Sequence, residues 1–153
     1  MKRLGFTIIE LMVVIIVISI LATVITIGYE NMQRDVRDTE RAADIDVIQA
    51  ALESYYDQNG AYPPASGNLE DLAKNKLGIH PNALKAPRDT SSGISFKAAG
   101  TNQPSVYEYL YKPLKNGSRA CTGATDACEK YTLLWRKESD DTNTQEVRSR
   151  YGW

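Results

Sequence analysis

The sequence predicts an α+β chain: one long N-terminal α-helix, half membrane-spanning and half amphipathic, packed on a small antiparallel β-sheet head. Three observations carry that expectation. The opening stretch MKRLGFTIIELMVVIIVISILATVITIGYE has no charged residue from Leu11 to Ile27. Residues 29–58 continue with apolar side chains at helical spacing. Further on, SVYEYLYKP and KYTLLWRK have the Tyr- and Val-rich, partly alternating character of strands. The 153 residues suit one compact domain, and the part beyond the apolar segment, about 125 residues, is long enough for a small core. A net charge of −1 provides no bulk attraction for nucleic acid.

The apolar run from Phe6 to Ile27 is about 22 residues, or roughly 33 Å at 1.5 Å per residue, enough to cross a bilayer. Lys2 and Arg3 precede it, so the N-terminus is expected to stay cytoplasmic and the bulk of the chain to be exported. A cleaved secretory signal also has a basic start and an apolar core. Here the basic stretch is very short and Ala22 is the only Ala in the run, so small-residue cleavage sites are poorly placed. Glu10 is the anomaly. A carboxylate between Ile8, Ile9, Leu11 and Met12 costs of order 2.5–3.5 kcal/mol on insertion scales, and such a group usually has a partner. The plain alternative is a Glu at the membrane interface that reaches back to water.

Residues 5–14, Gly-Phe-Thr-Ile-Ile-Glu-Leu-Met-Val-Val behind a short basic leader, closely resemble the N-terminus of type IV prepilins and the related pseudopilins. The likeness is strongest over residues 1–30 and continues more weakly to Pro64. It implies that residues 1–5 are a leader, removed by a prepilin peptidase between Gly5 and Phe6, and that the new N-terminus at Phe6 is N-methylated. Gly5 suits this role, because a residue without Cβ lets a protease approach the backbone closely. Residues 6–28 would then be the transmembrane and filament-core helix. Residues 29–153 would be the globular head, including the amphipathic half of the helix. The likeness also implies that Glu10 of one subunit pairs with the α-ammonium at Phe6 of a neighbour. Desolvation offsets much of the Coulomb gain in such a pair, so its expected role is to set register between subunits more than to add net stability.

The partners so implied are further copies in a helical filament, the prepilin peptidase, an assembly ATPase acting through an inner-membrane platform protein, and the membrane before assembly. The subunit would begin as a single-pass protein of the cytoplasmic membrane and end in an extracellular pilus. The leading expectation is a type IV pilus subunit supporting motility, adhesion or DNA uptake. The alternative is a pseudopilin of a type II secretion or competence system. A monomeric membrane-anchored binding protein is a third reading. In one respect the sequence departs from the family pattern. The membrane half often carries a helix-breaking Gly and Pro; here Ser19, Thr23 and Thr26 interrupt the run, Gly28 follows it, and no Pro precedes Pro63. Any weak point is expected near Thr26–Gly28.

The helix is expected to run from about Phe6 to Gln58, stopped by Asn59-Gly60 and by Pro63-Pro64. Tyr29, Met32, Val36, Ala43, Val47, Ala51 and Tyr55 mark an apolar side, and the charged belt from Arg34 to Asp46 reads as a solvated face or as a contact between subunits. Tyr62 is placed to fold back on the helix end. Asn68 caps a short helix carrying Leu69, Leu72, Ala73 and Leu77 on one side. Residues 79–104 read as loop, with the lone His80 incidental. Strands are expected at Ser105–Pro113 and Lys130–Lys137, with Gln145–Arg148 a further candidate, and a turn at Lys115–Ser118. That turn contains an Asn116-Gly117-Ser118 glycan acceptor pattern.

Cys121 and Cys128 enclose six residues of an exported domain, which points to one disulfide, with free thiols the alternative. Family members often close a C-terminal loop this way. Asp140, Asp141, Asn143 and Glu146 form a carboxylate-rich loop. A calcium site and a solvated loop are the two readings, and the absence of EF-hand spacing favours the second. The basic-aromatic end, Arg148, Arg150, Tyr151 and Trp153, reads as a terminal strand or, with weak support, a DNA contact. The sequence has no P-loop, HExxH or Gly-x-Ser-x-Gly pattern and no His placed for a triad, so neither catalysis nor a cofactor is expected.

Overall fold

A computed structural model of the chain describes residues 6–100, 103–116, 119–140 and 142–152. Helix α1 runs unbroken from Ile8 to Asn59 and passes through Thr26–Gly28 without interruption. It ends where the sequence places the stop. Gly60 takes the left-handed conformation at φ 71°, and its N–H donates to the carbonyl of Tyr56. The chain then reverses, and Tyr62 is buried against the last turns, its ring 4.5 Å from that of Tyr56.

The head is built on this end of α1. Asn68 caps helix α2, Leu69–Asp71, and a π-turn at Leu72–Lys76 extends it. A 3-10 turn follows at Pro81–Leu84. Four strands form one sheet in the order β1 (Phe96–Ala98), β2 (Tyr109–Leu114), β3 (Lys130–Arg136) and β4 (Thr144–Arg148). β2 and β3 pair antiparallel, with Tyr111 opposite Leu133, and so do β3 and β4, with Leu133 opposite Val147. β1 corrects the expectation in two ways. It lies inside the stretch read as loop, and it pairs parallel with β2, so the sheet is mixed. Three residues cannot display a period-2 pattern, and parallel pairing leaves no local turn signal to read.

The face of α1 that meets the sheet also differs from the expected one. Ile45, Ile48 and Leu52 are buried against Phe96, Tyr109, Tyr111, Tyr131, Leu133 and Trp135. Tyr29, Met32, Val36 and Val47 stay 60%, 61%, 54% and 46% exposed. The head half of α1 therefore carries two apolar stripes, one packed on the sheet and one left open.

Cys121 and Cys128 are joined in a disulfide with Cα atoms 5.9 Å apart, and both are fully buried. Around it the chain after α1 is stitched to the sheet. The N–H of Tyr62 donates to the carbonyl of Cys128 at 2.8 Å, that of Ala65 to Cys121 at 3.2 Å, and that of Cys121 to Pro113 at 3.0 Å. Cys121→Ala/Cys128→Ala is expected to lower stability by about 2–3 kcal/mol, by freeing a short loop in the unfolded chain. Urea unfolding of the purified protein in detergent checks this; an unchanged midpoint would count against it.

Candidate assembly surface

The start of α1 is closed by its own side chains. The hydroxyl of Thr7 accepts from the N–H of Glu10 at 3.2 Å. In return one carboxylate oxygen of Glu10 accepts from the N–H and the hydroxyl of Thr7, both at 2.8 Å. This is a capping box, and it satisfies donors that an apolar environment would leave bare. Phe6 precedes it and is 86% exposed. Gly5 lies outside the described residues. Along the next turns the apolar side chains from Leu11 to Val24 stand open, with nothing from the head over them. The polar interruptions are absorbed locally: Ser19 donates to the carbonyl of Ile15 at 2.7 Å, and Thr23 to that of Ser19 at 2.8 Å.

Where α1 enters the head, Asp38 and Arg41 of the charged belt turn inward, while Arg34, Asp35, Glu40 and Asp46 stay exposed. Arg41 is fully buried. Its guanidinium donates to the Val106 carbonyl at 2.9 Å, to Asp38 at 2.9 Å and to Glu138 at 3.3 Å. Asp38 is buried too and accepts from the N–H groups of Glu138 at 2.7 Å and Ser139 at 2.9 Å. Arg37 grips the Glu138 carboxylate with two donors, at 2.6 and 2.8 Å. Those hydrogen bonds, joined by Arg41, hold the Glu138 carboxyl at about 2, despite some burial. One charged cluster thus ties α1 to the loop after β3.

Residues 1–26 match the family model described as the prokaryotic N-terminal methylation motif. Relatives named type II secretion system core protein G extend the likeness beyond that motif. The Pseudomonas aeruginosa protein is 38% identical over 77 residues, covering 50% of this chain and 54% of the relative. The Klebsiella michiganensis protein is 33% identical over 86 residues, covering 56% and 59%. The methylation motif and these relatives together support a place in the type IV pilin and pseudopilin family. The Escherichia coli relative of the same name is 32% identical over 73 residues, covering 48% of this chain and 50% of its own. The chain spans about half the length of the curated relatives it matches. No solved structure matches it.

The sequence reading missed two further carboxylates that hold the head together. Glu53 accepts from the hydroxyls of Tyr62 at 2.7 Å and Tyr131 at 2.8 Å, and from the N–H of Arg150 at 3.0 Å. Burial and the adjacent carboxylate raise both tyrosine pKa values above the usual range. Asp44 accepts from Tyr109 at 2.7 Å, but its burial outweighs that bond and lifts its pKa to about 6. A carboxyl raised in the folded state favours folding when protonated. Its contribution is therefore full below the ordinary Asp range and is lost as pH rises through about 6. Glu138 acts oppositely, but its contribution is lost only as pH falls from the ordinary Glu range towards about 2. Between pH 5 and 7 Asp44 should dominate. The urea midpoint is expected to rise as pH is lowered across this window, and Asp44→Asn should flatten that slope. An equal slope in the variant would contradict the assignment.

The remaining candidates are separated in space. His80 is exposed and caps the 3-10 turn, its Nδ1 accepting from the N–H of Asn82 at 3.3 Å. Asp140 accepts from Thr142 and Asn143, each at 2.8 Å, whereas Glu146 pairs with Arg148 at 2.7 Å, so these two carboxylates turn to different partners. Asp141 lies outside the described residues, as do Gly117 and Ser118 of the glycan pattern and Trp153 of the tail. The rest of the tail is strapped down. Ser149 donates to the Tyr131 carbonyl at 3.1 Å, and the Tyr151 ring stacks on Tyr56 at 4.8 Å.

Proposed function

We propose that the chain is a pseudopilin, a structural subunit of the short filament of a type II secretion apparatus. The observation that carries this reading is the likeness to core protein G relatives over 71 to 92 residues, well beyond the 26-residue methylation motif shared more widely. It moves the reading from the type IV pilus subunit, which the motif alone led with, to its alternative. In this proposal a prepilin peptidase cuts between Gly5 and Phe6 and the amine of Phe6 is methylated. The apolar half of α1 anchors the subunit in the membrane until an assembly ATPase, acting through a platform protein, drives its extraction into a filament. There Glu10 takes the Phe6 ammonium of a neighbouring copy. The capping box supports this order of events, because both its members lie beyond the cleaved bond and the helix start survives processing.

Mass spectrometry of the membrane-extracted protein should give a mature chain starting at methylated Phe6. Deletion of the gene should impair export of secreted proteins, without loss of long surface fibres under electron microscopy. An intact Met1 overturns the processing step. Long fibres that vanish on deletion, with secretion unaffected, return the reading to the pilus subunit.

A further inference from the structure

A cleft of about 290 Å³ opens at the foot of the head, bordered by Tyr29, Glu30, Arg34, Arg37, Arg88 and Glu138. Glu30, Arg34 and Arg37 stand at i, i+4 and i+7, so they share one face of α1. Arg88 reaches that face from the loop after the 3-10 turn. Its backbone is held in the left-handed region at φ 65°, which a non-glycine residue adopts only at a cost. The charged groups of the cleft divide into satisfied and free. Glu138 already receives Arg37 and Arg41. Arg88 adds one nitrogen to it at 3.3 Å, is 62% exposed, and has no other partner for its guanidinium among the described residues. Arg34 and Glu30 are exposed and have no ion pair among the described residues. Two cations with spare donors and one free carboxylate are left.

Their height along α1 decides what they can meet. By helical rise Glu30 lies about 4–5 Å beyond Ile27, where the apolar run ends, and Arg34 about 10 Å. The polar layer of a bilayer extends about 5–7 Å past its hydrocarbon. Helical side chains lean towards the N-terminus, here the apolar end, so Arg34 reaches down into that layer. Tyr29, 60% exposed, stands at the level where aromatic rings anchor a span. Guanidinium forks suit phosphate oxygens. A free carboxylate one turn below Arg34 repels a headgroup that is only anionic, and accepts from one that also carries a primary ammonium. We infer that the cleft holds the headgroup of such a phospholipid: Arg34 and Arg88 take the phosphodiester, and Glu30 accepts from the ammonium. This rests on the membrane-anchored stage of the reading above. The lipid ties the foot of the head to the bilayer surface and must be left behind when the subunit is extracted.

The test unfolds the full chain in urea, in non-ionic detergent micelles carrying phosphatidylethanolamine, phosphatidylcholine or phosphatidylglycerol. A ligand held only by the folded head raises the midpoint. Phosphatidylethanolamine should raise it by about 0.5–1 M. Phosphatidylcholine lacks an N–H donor and phosphatidylglycerol lacks a cation, so each should give less than about half that shift. Arg34→Gln/Arg88→Gln should abolish the shift, and Glu30→Gln should erase the preference among the lipids. Arg34→Gln alone, at a side chain with no partner to lose, should keep the lipid-free midpoint and still lose at least about half of the shift. Equal shifts with all three lipids in the wild type overturn the site, as does a shift that survives in the double variant. A washing of membranes in alkaline carbonate separates the levels. If the wild type stays in the membrane but no lipid moves its midpoint, only this inference fails. If the wash releases it, the anchored stage fails and this site goes with it.

Discussion

Glu10→Gln is expected to reduce filament yield at least about 100-fold, the equivalent of removing one partner from a poorly hydrated ion pair at a cost of about 3 kcal/mol. The choice of Gln decides the meaning of the result. Glu10 has two roles in the geometry: it closes the capping box with Thr7, and it carries the charge proposed to meet a neighbour's amine. Gln serves in a capping box as Glu does, so the variant keeps the first and loses the second. Thr7→Ala does the reverse. It removes a cap worth about 0.5–2 kcal/mol but leaves the carboxylate, and should assemble at reduced yield. Shearing cells and quantifying pelleted polymer reads both. A Gln variant that polymerises like the wild type would end the charge-pair account; equal losses in the two variants would assign the effect to the helix start.

Arg41→Met should lower the stability of the head by about 3–5 kcal/mol, the largest change expected from any single head residue. Arg41 is completely buried, and its three contacts reach Val106, Asp38 and Glu138, which belong to three separate parts of the chain. Methionine fills much of the volume but leaves Asp38 buried without its cation and the Val106 carbonyl without its donor. Arg41→Lys should recover little, because an ammonium has no planar fork to serve all three at once. Urea unfolding monitored through Trp135 fluorescence measures the loss. A change in Arg41→Met below about 1 kcal/mol would show that the cluster is only a surface ornament.

What the sequence made legible was local. Residues 5–14, the stop at Asn59-Gly60, the returning Tyr62, the Asn68 cap and the longer strands depend on neighbours a few positions away. The charged cluster could not be read in this way. Asp38 and Arg41 look like any alternating surface pair until Glu138, separated from Arg41 by 97 positions, arrives to bury them. The inner face of α1 was missed for a related reason. Tyr29, Met32 and Val36 continue the periodicity of the membrane span, and the sheet packs on Ile45, Ile48 and Leu52 instead. For Glu53, only the surplus of tyrosines offered a hint that a buried acceptor would be needed.

Because α1 is a single unbroken rod, about 80 Å long at helical rise, it has no hinge in which a thrust applied at its apolar end could be dissipated. Axial load travels its length, and the first place it can leave the rod is the clamp of Arg37, Asp38 and Arg41 on the loop after β3. In the proposed extraction that clamp would carry the load in shear. A subunit with a loosened one would be hauled out of the bilayer with its head lagging behind the shaft.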